Sequence, residues 1–224
     1  MADEIKPDFK NFFLYIFLII GAIVILVLIF SKKSSEQINT TDNTSTSSAQ
    51  IEGGKYMEAP KMQLDTKKKY SAAIVTNKGS MQIELFASET PNTANNFVFL
   101  SREGFFNGVK FHRIVQDFMI QGGDPNGNGT GGPGYTFADE KIINDYTRGI
   151  VAMANRGPNT NGSQFFIMHK DYALPKNYVI FGKVTDGLDT LDKIAEVETV
   201  DNGQGEKSKP TQDIIIEKVT ITEK

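Results

Sequence analysis

A chain of 224 residues can hold one well-packed domain with appendages. With 24 basic and 27 acidic residues, a net charge of −3 and no basic stripe interleaved with aromatics, it is not expected to bind nucleic acid. Cysteine is absent and histidine occurs only as His112 and His169, which excludes a disulfide framework, a thiol nucleophile and a cysteine- or histidine-rich metal centre; no cofactor is expected.

After a short tail (residues 1–11), Phe12 to Phe30 form an apolar run with no polar face. As a helix rising 1.5 Å per residue it spans about 28 Å, close to the roughly 30 Å hydrocarbon core of a bilayer. No small-residue cleavage site follows directly, so the run predicts an uncleaved single-pass membrane anchor. Lys6 and Lys10 in front and Lys32 and Lys33 behind nearly balance, and the amino terminus tips the count towards a cytoplasmic N-terminus. The folded body is then expected on the extracytoplasmic side. Residues 31–69 begin rich in Ser, Thr and Asn, too polar to bury a core, and predict a flexible linker with a transition into a domain at 70–224.

Within that domain, strands are predicted at 70–76 and 80–86 around the compact turn Asn77-Lys78-Gly79. Thr90-Pro91 opens a helix, with Thr90 as N-cap, an apolar face of Ala94, Phe97, Val98 and Ser101, and Gly104 as its stop. Further strands are predicted at 109–115, 118–121, 149–154, 164–168, 179–184 and 214–221, with a second helix at 188–196. Many short strands and two helices give a mainly β, closed or sandwiched architecture. Strand alternation puts Gln164 and Phe166 on one face and Phe165 and Ile167 on the other. Met119 and Gln121 pair in the same way, whereas Phe118 joins Met119 only if a bulge or strong twist intervenes. Gly127 to Gly132 match G-x-G-x-x-G, but Pro133-Gly134 follows instead of a helix, so the glycines shape a loop and not a nucleotide site. Asp139-Glu140 reads as a solvated turn.

Arg113 stands among aromatic and aliphatic residues, with no nearby nucleophile-and-base pair. A permanently charged, planar fork of donors suits a cleft wall that meets an apolar ligand. Such a site works by shape and electrostatics, without bond cleavage.

The blocks Phe111-His112-Arg113-Ile114-Val115, Phe118-Met119-Ile120-Gln121-Gly122-Gly123-Asp124, Gly129-Thr130-Gly131-Gly132, Met153-Ala154-Asn155, Gly157 to Ile167 and Val179-Ile180-Phe181-Gly182-Lys183-Val184 resemble, in order and spacing, the cyclophilin family of peptidyl-prolyl cis-trans isomerases. The resemblance runs over about residues 70–224, and the short connections look like the compact bacterial members. It implies an eight-stranded antiparallel β-barrel capped by two α-helices, with the active site on the outer wall. It further implies Arg113 as the catalytic residue and a proline pocket of Phe118, Met119, Phe166 and Leu174. Gln121, Gln164, Ala154 and Asn155 would bind peptide backbone, and His112 and Tyr178 would lie at the rim. The implied partners are proline-containing unfolded or extended polypeptides, met by a monomeric catalytic domain. The alternative is a proline-peptide-binding chaperone module without turnover. Ala173 stands where the family often has tryptophan, and Tyr178 where it often has histidine, so tight cyclosporin binding is not expected.

Overall fold

The structure, a computed structural model, describes residues 55–224. The predicted anchor at 12–30 and the first part of the linker lie outside the described residues. Among the described residues no helix is long and apolar enough to cross a membrane.

The β-strands are β1 (Tyr70–Thr76), β2 (Gly79–Leu85), β3 (Arg113–Val115), β4 (Met119–Gly122), β5 (Ile150–Met153), β6 (Phe165–Met168), β7 (Ile180–Asp186), β8 (Thr199–Asp201), β9 (Lys207–Pro210) and β10 (Ile216–Glu223). The helices are α1 (Pro91–Arg102) and α2 (Leu188–Ala195). Eight strands form one antiparallel sheet in the order β10-β1-β2-β7-β5-β6-β4-β3. Its two edges are tied together just ahead of β3 and at the start of β10. Gly108 N–H donates to Ile216 O (2.8 Å), Ile216 N–H to Val109 O (2.8 Å) and Phe111 N–H to Ile214 O (2.9 Å). The sheet therefore curls round on itself, as the closed β architecture requires, and hides backbone groups that a free edge would expose. β8 and β9 form a separate two-stranded ribbon that packs beside β3. No strand is predicted there from the sequence pattern.

Alternation along the strands produces two apolar layers. Ile114, Ile120, Val151, Phe165, Ile167 and Phe181 point inward with Phe97 and Leu100 of α1. Phe97 is the hub, its ring centroid 5.1 Å from Phe106, 5.6 Å from Phe165 and 5.2 Å from Phe181. Burying each such ring contributes about 1.5–3 kcal/mol. Met119, Ile150, Ala152, Phe166, Met168 and Ile180 point to the other side and build a second, smaller cluster on the outer wall.

Two local expectations are corrected. Thr90 holds the N-cap position of α1, but its hydroxyl turns back to Phe86 O (3.3 Å) and makes no side-chain cap bond. The cap comes from Glu140, whose carboxylate accepts the Asn92 N–H (3.0 Å), the Thr93 N–H (2.8 Å) and the Thr93 hydroxyl (2.6 Å). An anion at a helix N-terminus satisfies two orphan N–H groups and the helix dipole together. Asp139 is equally engaged, accepting from Asn159 N–H (2.9 Å) and Asn161 Nδ2 (2.7 Å). This turn is a structural clasp. The end of the linker, residues 55–69, is also fastened to the body. Tyr56 stacks edge-on against Phe99 at 5.2 Å, Gln63 N–H donates to Asn95 Oδ1 (2.8 Å), and Lys69 and Lys224 exchange backbone bonds of 2.9–3.0 Å.

Candidate active site

β3 and β4 form a hairpin with unshifted register: Arg113 faces Gln121, Ile114 faces Ile120 and Val115 faces Met119. Gln121 in turn pairs with Phe166 on β6, and Phe166 with Ala152 on β5. One row across four strands therefore projects a guanidinium, an amide and an aromatic ring from the outer wall. Phe118 reaches the same face without a bulge. It sits in the turn before β4, where Asp117 takes a left-handed φ of 63° and Phe118 N–H bonds Val115 O at 3.1 Å. The buried imidazole of His169 pins this turn, its Nδ1 accepting Asp117 N–H at 2.9 Å while its own backbone N–H donates to Phe118 O at 2.9 Å.

Arg113, Phe118, Met119, Gln121, Ala154, Asn155, Phe166, Leu174 and Tyr178 surround a recess of about 210 Å³. Phe166 forms its floor, with Tyr178 edge-on at 5.5 Å. The guanidinium carbon lies 5.9 Å from the Phe118 ring centroid, within cation–π range. Arg113 Nη1 donates to Gln121 Oε1 (3.2 Å) and approaches Met119 Sδ (3.7 Å). Its other side is held by an acid. Nε donates to Glu206 Oε2 and Nη2 to Glu206 Oε1, both at 2.7 Å. The Arg113 guanidinium beside it keeps the Glu206 carboxyl below the ordinary glutamate range.

Hydrogen bonds continue from Arg113 in one direction. Gln121 Nε2 donates to Gln164 Oε1 (3.0 Å), and Gln164 Nε2 donates to the carbonyls of Gly129 (3.0 Å) and Gly131 (2.9 Å). Gln164 thus holds the glycine loop and borders a neighbouring cavity of about 290 Å³, outside the recess. From the other end, the fully buried Asp124 carboxylate receives Asn126 N–H (2.8 Å) and Asn128 N–H (3.0 Å), and a Cβ on Gly131 would collide with that carboxylate. His112 is likewise absent from the recess. It lines a cleft of about 800 Å³ on the Glu206 side of Arg113. Burial pushes its pKa below the ordinary histidine value, the Arg113 cation lowering it further against the opposing pull of Asp124. Asn155 uses its side chain internally, Nδ2 donating to Asn177 O at 2.8 Å. Its backbone N–H and C=O make no hydrogen bond among the described residues.

The sequence model of the family described as "Cyclophilin type peptidyl-prolyl cis-trans isomerase/CLD" matches residues 71–221. The chain belongs to this family. Among curated relatives, a "Probable peptidyl-prolyl cis-trans isomerase B" of Mycobacterium tuberculosis is 45% identical over 168 residues, covering 67% of this chain and 54% of the relative. The chain therefore spans about half the length of that relative. A human "Peptidyl-prolyl cis-trans isomerase-like 3" is 43% identical over 158 residues, covering 67% of this chain and 95% of the relative. The crystal structure of a Cryptosporidium parvum cyclophilin type peptidyl-prolyl cis-trans isomerase is 40% identical, with a TM-score of 0.63, over 69% of this chain and 98% of that one. A second structure of the C. parvum protein was determined in the presence of the dipeptide Ala-Pro.

Glu206 is a site residue of this cyclophilin that no sequence motif singles out. A cleft arginine needs an acid, and none precedes it nearby. The Asn202-Gly203 pair, a strong hairpin-turn signal, marked the ribbon that supplies one.

Proposed function

We propose that the chain accelerates rotation about X-Pro bonds in unfolded or extended polypeptides by holding the twisted amide at Arg113. The observation that carries this reading is one guanidinium edge facing an apolar recess while the opposite edge is anchored. Amide resonance sets a barrier of about 18–20 kcal/mol, and rotation breaks no bond. A catalyst therefore has only to bind the twisted form better than either planar form. Twisting deconjugates the prolyl nitrogen and gives it a usable lone pair, towards which Arg113 directs an N–H. Phe118, Met119, Phe166 and Leu174 would seat the pyrrolidine ring and exclude water, strengthening that bond. The free backbone N–H and C=O of Asn155 would pair with extended substrate, as an added strand does, beside Ala154, whose own N–H is held by Gln164 O at 2.9 Å. One charge-assisted bond gives about 1.5–3 kcal/mol. Desolvation and positioning would supply the rest of the roughly 5–7 kcal/mol that makes four to five orders of magnitude.

Gln164 enters this reading as the residue that braces the glycine loop, and His112 as a neutral wall of the adjoining cleft. We further propose that the domain acts as a monomer of the compact bacterial type, tethered through residues 12–30 on the extracytoplasmic side. The full chain in a protease-coupled assay on an Ala-Pro peptide should speed isomerisation well above the uncatalysed rate. A chain that suppresses client aggregation but leaves this rate unchanged would establish the non-catalytic chaperone alternative. A reporter fused after Lys224 tests the orientation, and a cytoplasmic signal would refute it.

A further inference from the structure

We propose that Glu206 is a positioning residue of the isomerase site, fixing the Arg113 fork so that its Nη1 edge faces the recess. The inference rests on the reading of Arg113 given above. A guanidinium carries five N–H groups in a rigid plane. Glu206 takes one from Nε and one from Nη2 with separate oxygens, each at 2.7 Å, which sets the orientation of that plane as well as its place. The edge left over meets Gln121 and Met119. Glu206 lines the large cleft and not the recess, so its carboxylate does not compete for the donors that face a seated proline ring.

The carboxylate is presented by a braced turn. Asn202 N–H bonds Glu206 O (2.9 Å), Gly203 N–H bonds Asp201 Oδ1 (2.6 Å), and the β8–β9 ladder closes beneath. Packing of β9 against β3 carries the ribbon alongside the strand that bears Arg113. Arg156 and Lys209 line the same cleft, yet it is Arg113 that Glu206 binds. An arginine without this partner keeps its charge but samples many rotamers, of which few aim Nη1 at the recess. Binding of the ring, which depends on the apolar walls, should hardly change; the fraction of bound complexes poised for rotation should fall.

Steady-state kinetics of the full chain on an Ala-Pro peptide test this in a double-mutant cycle. Glu206→Ala should lower kcat roughly tenfold with KM within about twofold, since small misplacements of a catalytic group cost up to about a hundredfold. Glu206→Gln, whose amide offers only one acceptor to the fork, should fall between. In an Arg113→Ala background, Glu206→Ala should have no further effect. An unchanged or raised kcat in Glu206→Ala, or an equal loss in both backgrounds, would overturn the proposal. Failure of Arg113→Ala itself to slow catalysis would instead overturn the parent reading, so the two failures are distinguishable.

Discussion

Arg113→Lys separates charge from geometry. Lysine keeps the cation but replaces the planar five-donor fork by a single ammonium on a flexible stem. In the structure Arg113 serves three directions at once: Glu206 through Nε and Nη2, Gln121 through Nη1, and the open recess. An ammonium drawn to the Glu206 carboxylate cannot also reach an amide nitrogen in the recess. The bond lost is the charge-assisted one made in the twisted state, about 1.5–3 kcal/mol. At about 1.4 kcal/mol per tenfold, kcat/KM should fall roughly 10- to 150-fold. Because the recess walls are untouched, most of that loss should lie in kcat. Protease-coupled kinetics on an Ala-Pro peptide measure it directly. A lysine variant within about twofold of wild type would refute the geometric argument and leave only a diffuse field effect.

Other consequences can be checked separately. Glu140→Ala removes the distant cap of α1 and should destabilise the fold by about 2 kcal/mol, the upper range for a lost cap. That lowers the thermal midpoint by about 4–8 °C with activity retained at low temperature, and an unchanged midpoint would refute the cap. The imidazole of His112 titrates below its ordinary 6.5, so kcat/KM should show no inflection at that pH. The Glu206 carboxyl lies below its ordinary 4.5 in the folded state, so its contribution to stability is complete above 4.5 and disappears as pH falls through the lower folded value. Equilibrium unfolding of wild type and Glu206→Gln at several pH values reads this: their difference should be constant above pH 4.5 and shrink below it. Cyclosporin should inhibit weakly, because Ala173 is exposed and supplies no wall to the recess. Nanomolar inhibition would contradict this.

Whatever depended on local periodicity was legible beforehand. Phe165 and Ile167 went inward and Phe166 outward because strands alternate, and Ala94, Phe97 and Val98 were buried because helices repeat every three to four residues. Most strand boundaries moved by a residue or two, and that of β3 by four. The region before β3 makes isolated bridges, so only Arg113–Val115 count as strand where 109–115 was expected. The expected bulge or strong twist at Phe118 comes from extending alternation into a turn, where it does not apply. The clasp of Glu140 on Thr93 and the pair of Glu206 with Arg113 span 47 and 93 residues. No periodicity links such positions, and either acid alone reads as a solvated surface charge. For Gln164, alternation gives the face and the family resemblance implies peptide binding; only the fold reveals that both ends of its amide are engaged internally.

The most direct measurement is two-dimensional exchange NMR of an Ala-Pro peptide at equilibrium, with catalytic amounts of the wild-type chain or of Arg113→Ala. Wild type should bring the cis and trans signals into exchange within the mixing time, and the variant should exchange them about a hundredfold more slowly or worse, the usual cost of removing a transition-state donor. Equal exchange rates for the two proteins would contradict the claim that this guanidinium stabilises the twisted amide.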